Sequence, residues 1–199
     1  MHQPELIIIK VSKTSIYLKN IMEWARDNPA MSDVLTIPFD ELVFEIDRIA
    51  DDLRPVFEKN QDFILSKISE ISGYEWLEDM SVIYVYPIPF FNSFSHPLFL
   101  KVCSVKDGRV VKRPMGLNLG MLIHELVHNN MRGLPIDREE NERLINFIVN
   151  NILGSISREY FEDYNQFHRK IGAEIKSDLI PEEIKSGKSS IKDFYDNNR

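Results

Sequence analysis

The residues with the clearest capacity for chemistry are His124, Glu125 and His128, which form a His-Glu-x-x-His pattern. Side chains four positions apart on an α-helix project from the same face, one turn apart. Both imidazoles can therefore bind one Zn²⁺ at roughly the 2.0–2.1 Å typical of Zn–N bonds. Glu125 is suited to take a proton from metal-bound water as a general base and to pass it to a leaving amine. The pattern predicts a zinc site that activates water for hydrolysis, with Glu125 as its catalytic residue.

A third protein ligand is expected from the acidic start of the next predicted helix. Helical spacing aligns Glu142 with the apolar positions Ile145, Val149 and Ile152, which must turn inward. Glu139 instead aligns with the more polar positions Arg143, Asn146 and Asn150. We therefore predict that His124, His128 and Glu142 bind the metal, with Glu139 as the alternative third ligand. The other acids of this region have an ordinary explanation, because acidic residues are favoured in the first turn of a helix.

The histidine helix is predicted from Asn118 to Asn130, with an apolar stripe beside its histidine face formed by Leu119, Leu122, Ile123 and Leu126. Gly116 and Gly120 lie eight and four residues before His124, so we expect little bulk on the face above the metal. Residues 81–86 and 98–105 are β-branched and aromatic, and Asp107-Gly108 indicates a hairpin. The middle of the chain is therefore predicted to be a small, mostly antiparallel sheet.

The remaining segments are predicted to be mainly helical. Residues 5–11 are a candidate strand, and a helix is expected from Ser12 or Thr14 to about Asn28. A further helical region over 42–71 should end at Gly73, and Pro55 is expected to bend or split it. Helices over 139–153 and 157–171 precede a loosely attached tail, 177–199. We predict one α+β domain with a helical N-terminal part (1–75) and a catalytic core (76–176).

The His-Glu-x-x-His pattern followed by an acidic helix resembles the zincin metallopeptidases, and within them the gluzincin branch, over about residues 81–153. The resemblance implies a zincin-like fold and a zinc-dependent peptidase that holds an extended peptide or protein substrate along an edge strand. Leu98 to Val105 is the candidate strand. It also implies that Asn146, four residues after Glu142, orients a zinc-binding histidine by accepting its N–H. Asn130 departs from the family pattern, which usually has an apolar residue there.

The family also uses a residue that stabilises the transition state, commonly a Tyr or His. Four residues are available for this role, and the sequence does not choose among them: His96, Tyr160, Tyr164 and His168.

Composition narrows the possible partners and locations. The chain of 199 residues has a formal net charge of −7, which argues against nucleic acid or anionic lipid as the main partner. Residues 33–79 carry 13 acidic and four basic side chains, either as a solvated helical face or as a surface for a protein partner. Cys103 is the single cysteine and is expected to be a buried strand residue. No apolar run is long enough to cross a membrane, and no secretory leader is evident, so we expect a cytoplasmic protein.

Two alternatives to an active peptidase remain open. The chain could be a catalytically silent or gated binding or regulatory protein on a zincin scaffold, with the acidic region 33–79 covering the cleft or contacting a partner. It could also be a helical interaction protein whose histidines bind no metal.

Overall fold

The computed structural model describes residues 2–10, 23, 26, 36–89, 93–171 and 177–198. Within them the fold is α+β, with six helices and six strands. The helix predicted from Ser12 or Thr14 to Asn28 lies outside the described residues, apart from the isolated positions 23 and 26. In chain order the elements are β1 Glu5–Ile8, α1 Phe39–Ser72, β2 Val82–Ile88, β3 Phe94–Ser95, β4 Leu98–Lys101, β5 Cys103–Lys106, β6 Arg109–Lys112, α2 Met115–Asn130, α3 Arg138–Ile156, α4 Arg158–Lys170, α5 Glu182–Lys185 and α6 Ile191–Asn197.

The chain divides into two compact units that are not contiguous in sequence. One contains Met1–Glu5, Asn60–Val82 and Met115–Arg199, and the other contains Leu6–Lys59 and Ile83–Pro114. All four residues of the predicted centre, His124, Glu125, His128 and Glu142, belong to the first unit.

Helix α1 is continuous through Pro55, so the prediction that this proline splits the region is wrong. A proline inside a helix removes one backbone hydrogen bond. Here the apolar stripe stays in phase on both sides of it, and both Leu53 and Phe57 are buried. The end of the helix is as predicted, because Gly73 has a left-handed φ of 78° and its N–H donates to the Ser69 carbonyl at 2.9 Å.

The four-stranded sheet has the order β1-β2-β4-β3 and is mixed. The prediction of a mostly antiparallel sheet is wrong for its central pair, since β2 and β4 are parallel, with Val85 opposite Leu98. On the other side of β4, β3 pairs with it antiparallel, with Phe94 opposite Phe99. The predicted hairpin is confirmed in β5 and β6, whose two-residue turn has positive φ at Asp107 and Gly108.

Three helices form the core of the first unit. Helix α2 packs against both α3 and α4, more extensively against α4. The start of α3 is fixed by Asp137, whose carboxylate accepts the Glu140 N–H at 2.9 Å. None of the helices in the described ranges combines the length and apolar character that crossing a bilayer requires.

The segment predicted to be a loosely attached tail contains α5 and α6. It buries three isoleucines, Ile180, Ile184 and Ile191. The Tyr195 hydroxyl donates a hydrogen bond to the Glu140 carboxylate on α3. The tail is therefore tied to the helix that carries Glu142.

Candidate metal centre

Helix α2 presents the two histidines side by side. The ring centroids of His124 and His128 lie 4.9 Å apart, as expected for positions separated by one helical turn. His124 and Glu125 are buried, and His128 is partly exposed. The apolar positions Leu122, Ile123 and Leu126 are fully buried and hold this helix in place. The predicted helix and its histidine face are therefore as the sequence indicated.

Glu142 on α3 meets both rings. One carboxylate oxygen lies 3.3 Å from Nε2 of His124 and the other lies 3.4 Å from Nε2 of His128. One ligand atom from each of the three residues lies within 4.8 Å of the other two. In a tetrahedral site with bonds of about 2.0–2.1 Å, two ligand atoms are about 3.3–3.4 Å apart. Each measured separation, one to each carboxylate oxygen, is close to that spacing, and imidazole and carboxylate are groups that Zn²⁺ takes as ligands, so these residues fit the ion.

The other acids near the start of α3 have different partners. The Glu139 side chain is 80% exposed and lies 3.6 Å from Arg143, so this alternative ligand is not part of the cluster. Glu140 accepts the hydrogen bond from Tyr195, and Asp137 caps the helix. Glu142 is thus the acid of this region that the fold brings to the histidines.

The surroundings of Glu142 and Glu125 shift their pKa values in opposite directions. Hydrogen bonds from His124 and His128 hold the pKa of Glu142 far below its usual range, against the opposing effect of burial. Burial raises the pKa of Glu125, and the charges of the same two histidines partly offset that rise. Glu142 is thereby suited to remain an anionic ligand, whereas the raised pKa of Glu125 suits a proton acceptor.

The second ring nitrogen of His124 contacts α4. Its Nδ1 lies 3.3 Å from the Tyr164 hydroxyl, which donates to Oδ1 of Asn146 at 2.7 Å. The expectation that Asn146 accepts directly from a zinc-binding histidine is therefore wrong, because Tyr164 lies between them. The amide and the imidazole are linked through the phenol.

Gly116 and Gly120 explain how Tyr164 reaches this position. A Cβ at Gly120 would overlap the Tyr164 ring, and one at Gly116 would overlap the backbone of Tyr160. The glycines therefore allow α4 to pack closely on the histidine face of α2. The expectation of little bulk on that face is wrong, because α4 occupies it. The role of Tyr164 was missed, although two glycines spaced four apart and in line with His124 signal a close helix contact there.

The remaining candidate residues have other surroundings. Tyr160 is half-buried on α4, and His168 is buried with its ring centroid 4.4 Å from that of Tyr164. His96 belongs to the second compact unit. Cys103 is buried in β5, as predicted.

The segment predicted to bind substrate, Leu98 to Val105, does not form a single edge strand. Leu98–Lys101 forms β4, which pairs with β2 on one side and β3 on the other. The backbone N–H of Lys101 donates to the Ser93 hydroxyl at 3.2 Å. The later part of the segment lies in β5, in the separate two-stranded sheet. The prediction of an edge strand is therefore wrong for Leu98–Lys101, because β3 pairs with the second side of β4.

Asn130, the departure from the family pattern, has a structural role. Its Oδ1 accepts the Ser72 hydroxyl at 2.6 Å and its Nδ2 donates to the Tyr74 carbonyl at 3.2 Å. The side chain ties the end of α2 to the last residue of α1 and to the segment that follows it. An apolar residue would leave these polar groups without this partner.

Comparisons of the chain with models of known protein families, with curated proteins and with solved structures found no match.

Proposed function

We propose that the protein is a zinc-dependent peptidase in which His124, His128 and Glu142 bind the metal. The observation that carries this proposal is the convergence of both imidazole Nε2 atoms on one carboxylate at 3.3 and 3.4 Å. Glu125 beside that cluster supports hydrolysis over simple metal storage, because its buried position and raised pKa suit proton transfer.

Bound Zn²⁺ would supply a Lewis acid and lower the pKa of a coordinated water towards about 7. Glu125 would act as the general base towards the attacking water, and would then return the proton to the amine that leaves the cleaved peptide bond. Glu142 contributes negative charge and fixes both rings by its two oxygens. Peptide or protein substrates and a cytoplasmic location are part of the proposal, the latter because a single cysteine is usual for a reducing compartment.

The decisive experiment compares Glu125→Gln with Glu142→Gln and a control, Glu139→Gln. Glu125→Gln should retain stoichiometric zinc and lose peptide hydrolysis, whereas Glu142→Gln should lose zinc affinity. Glu139→Gln should retain both, because its side chain is exposed and distant from the cluster. Undiminished hydrolysis by Glu125→Gln, or unchanged zinc binding by Glu142→Gln, would contradict the proposed roles.

A catalytically silent or gated zincin-fold binding protein is the second candidate. It is favoured by one observation, that β4 is paired on both sides and offers no free edge for a peptide. Incubation of the zinc-loaded protein with an unbiased peptide library separates the two candidates. Cleavage of any library member supports the peptidase. Zinc binding without cleavage supports the binding protein, and absence of zinc excludes both in favour of a helical interaction protein.

A further inference from the structure

The Tyr164 hydroxyl lies between a predicted zinc ligand and an amide, deep inside the first unit. The side chain is fully buried. Its hydroxyl is 2.7 Å from Asn146 Oδ1 and 3.3 Å from His124 Nδ1. A buried hydroxyl used by two neighbours is poorly placed to contact a substrate. Tyr164 is therefore a weak candidate for stabilising a transition state.

The hydrogen-bond directions determine which nitrogen of His124 carries the proton. A phenol has a single hydrogen, and Tyr164 directs it to Asn146, whose Oδ1 can only accept. Towards His124 the phenol oxygen can then act only as an acceptor. A neutral ring that makes this hydrogen bond therefore carries its proton on Nδ1, which leaves the Nε2 lone pair available to a metal ion. Nε2 also faces the Glu142 carboxylate at 3.3 Å, which in the metal-free protein competes for a proton on this nitrogen.

We propose that Tyr164 is a positioning residue that holds His124 as its Nδ1–H tautomer and so presents the Nε2 lone pair to the metal, an inference that rests on the proposed zinc centre. Partners of this kind fix the tautomer and ring orientation of metal-binding histidines, and their removal typically lowers metal affinity by about 10–100-fold. Asn146 acts one step further away, by orienting the phenol. Gly120 supplies the space that the ring needs.

The first test measures the tautomer without any metal. In a metal-free Glu142→Ala variant, which lacks the carboxylate that competes for a proton on Nε2, ¹⁵N shifts of the neutral His124 ring should report the Nδ1–H form. In Glu142→Ala/Tyr164→Phe the ring should move towards the Nε2–H form, because the acceptor at Nδ1 is gone. A purely structural role for Tyr164 would not move this signature in a variant that remains folded.

The second test measures zinc affinity by competition with a chelator. Tyr164→Phe and Asn146→Ala should weaken binding by about 10–100-fold. Asn146→Asp restores an acceptor and should restore affinity, which keeps the test decisive if Tyr164→Phe does not fold. The matched control is Asn150→Ala, because Asn150 accepts an interhelical hydrogen bond from Asn165 at 2.8 Å, one turn beyond Asn146. This control should bind zinc as the wild type does.

The two proposals fail in different ways. A wild-type protein that binds no zinc would overturn the proposed metal centre. An Nε2–H form of His124 in metal-free Glu142→Ala would overturn the role of Tyr164. A tautomer that does not move when Tyr164→Phe is added to that variant, or unchanged zinc affinity in a folded Tyr164→Phe variant, would do the same, with the zinc centre left intact.

Discussion

The close contact between α2 and α4 predicts opposite effects for two Gly→Ala substitutions. In an unhindered helix, alanine stabilises relative to glycine by roughly 0.5–1 kcal/mol. Gly154 in α3 is exposed and its new Cβ would lie 3.8 Å from Phe161, an ordinary contact distance, so Gly154→Ala should show up to about that gain. A Cβ at Gly120 would instead overlap the Tyr164 ring, which is fully buried and has little room to move.

The expected cost at Gly120 follows from overpacking. Extra carbon atoms in a packed core typically cost about 1–3 kcal/mol, so after the helical gain is subtracted, Gly120→Ala should destabilise by up to about 2.5 kcal/mol. For a chain of this size this corresponds to a melting temperature lower by up to roughly 10 °C. Zinc affinity should fall as well, because displacement of the Tyr164 ring disturbs its contact with His124.

Equilibrium unfolding in urea with excess chelator measures the stability of both variants without a contribution from metal. Gly120→Ala should lower the free energy of unfolding less in a Tyr164→Leu background than in the wild type, since leucine vacates the space that the new Cβ needs. A coupling of roughly 0.5–3 kcal/mol is usual for residues in contact. Stabilisation of Gly120→Ala equal to that of Gly154→Ala, or additive effects in the double variant, would refute the packing argument.

Three further predictions concern other parts of the described structure. Asn130→Leu should lower the free energy of unfolding in urea by about 1–3 kcal/mol, because the Ser72 hydroxyl and the Tyr74 carbonyl lose this buried partner; a neutral effect would contradict that role. Chelation of zinc present at about 100-fold over its Kd should remove about 2.7 kcal/mol, or roughly 5–11 °C in melting temperature, whereas an unchanged transition would argue against a bound metal. Burial raises the pKa of the Cys103 thiol from 9.0 to about 12, so iodoacetamide should react much more slowly with the native protein than with the guanidinium-unfolded chain. Because the folded pKa is the higher one, this thiol should reduce folding stability as the pH rises above 9.0, and Cys103→Ala should abolish that component.

The local features of the centre follow from periodicity. The spacing of His124 and His128 predicts a shared helix face, and the alignment of Glu142 with buried apolar positions distinguishes it from Glu139. These are properties of single helices, which the sequence encodes directly. The structure accordingly brings Glu142 to the histidines and leaves Glu139 beside Arg143.

The predictions that are wrong mainly concern contacts between residues that are distant in sequence. The parallel pairing of Val85 with Leu98 joins two separate strands, and the periodicity of either strand does not encode its partner or its direction. The insertion of Tyr164 between His124 and Asn146 depends on the approach of two helices. Pro55 is tolerated inside α1 because buried apolar residues on both sides of it stabilise the helix. Their burial offsets the loss of one backbone hydrogen bond, which is all that the residue type predicts.

The glycine-mediated approach of α2 and α4 also constrains how this sequence can diverge. Enlargement of Gly120 would require a smaller residue at position 164, and enlargement of Gly116 would require α4 to move away at position 160. Positions 116 and 160, and positions 120 and 164, should therefore covary among descendants of a common ancestor. Glycines eight and four residues before His124, together with a tyrosine 22 residues after Glu142, give a signature by which distant relatives can be sought.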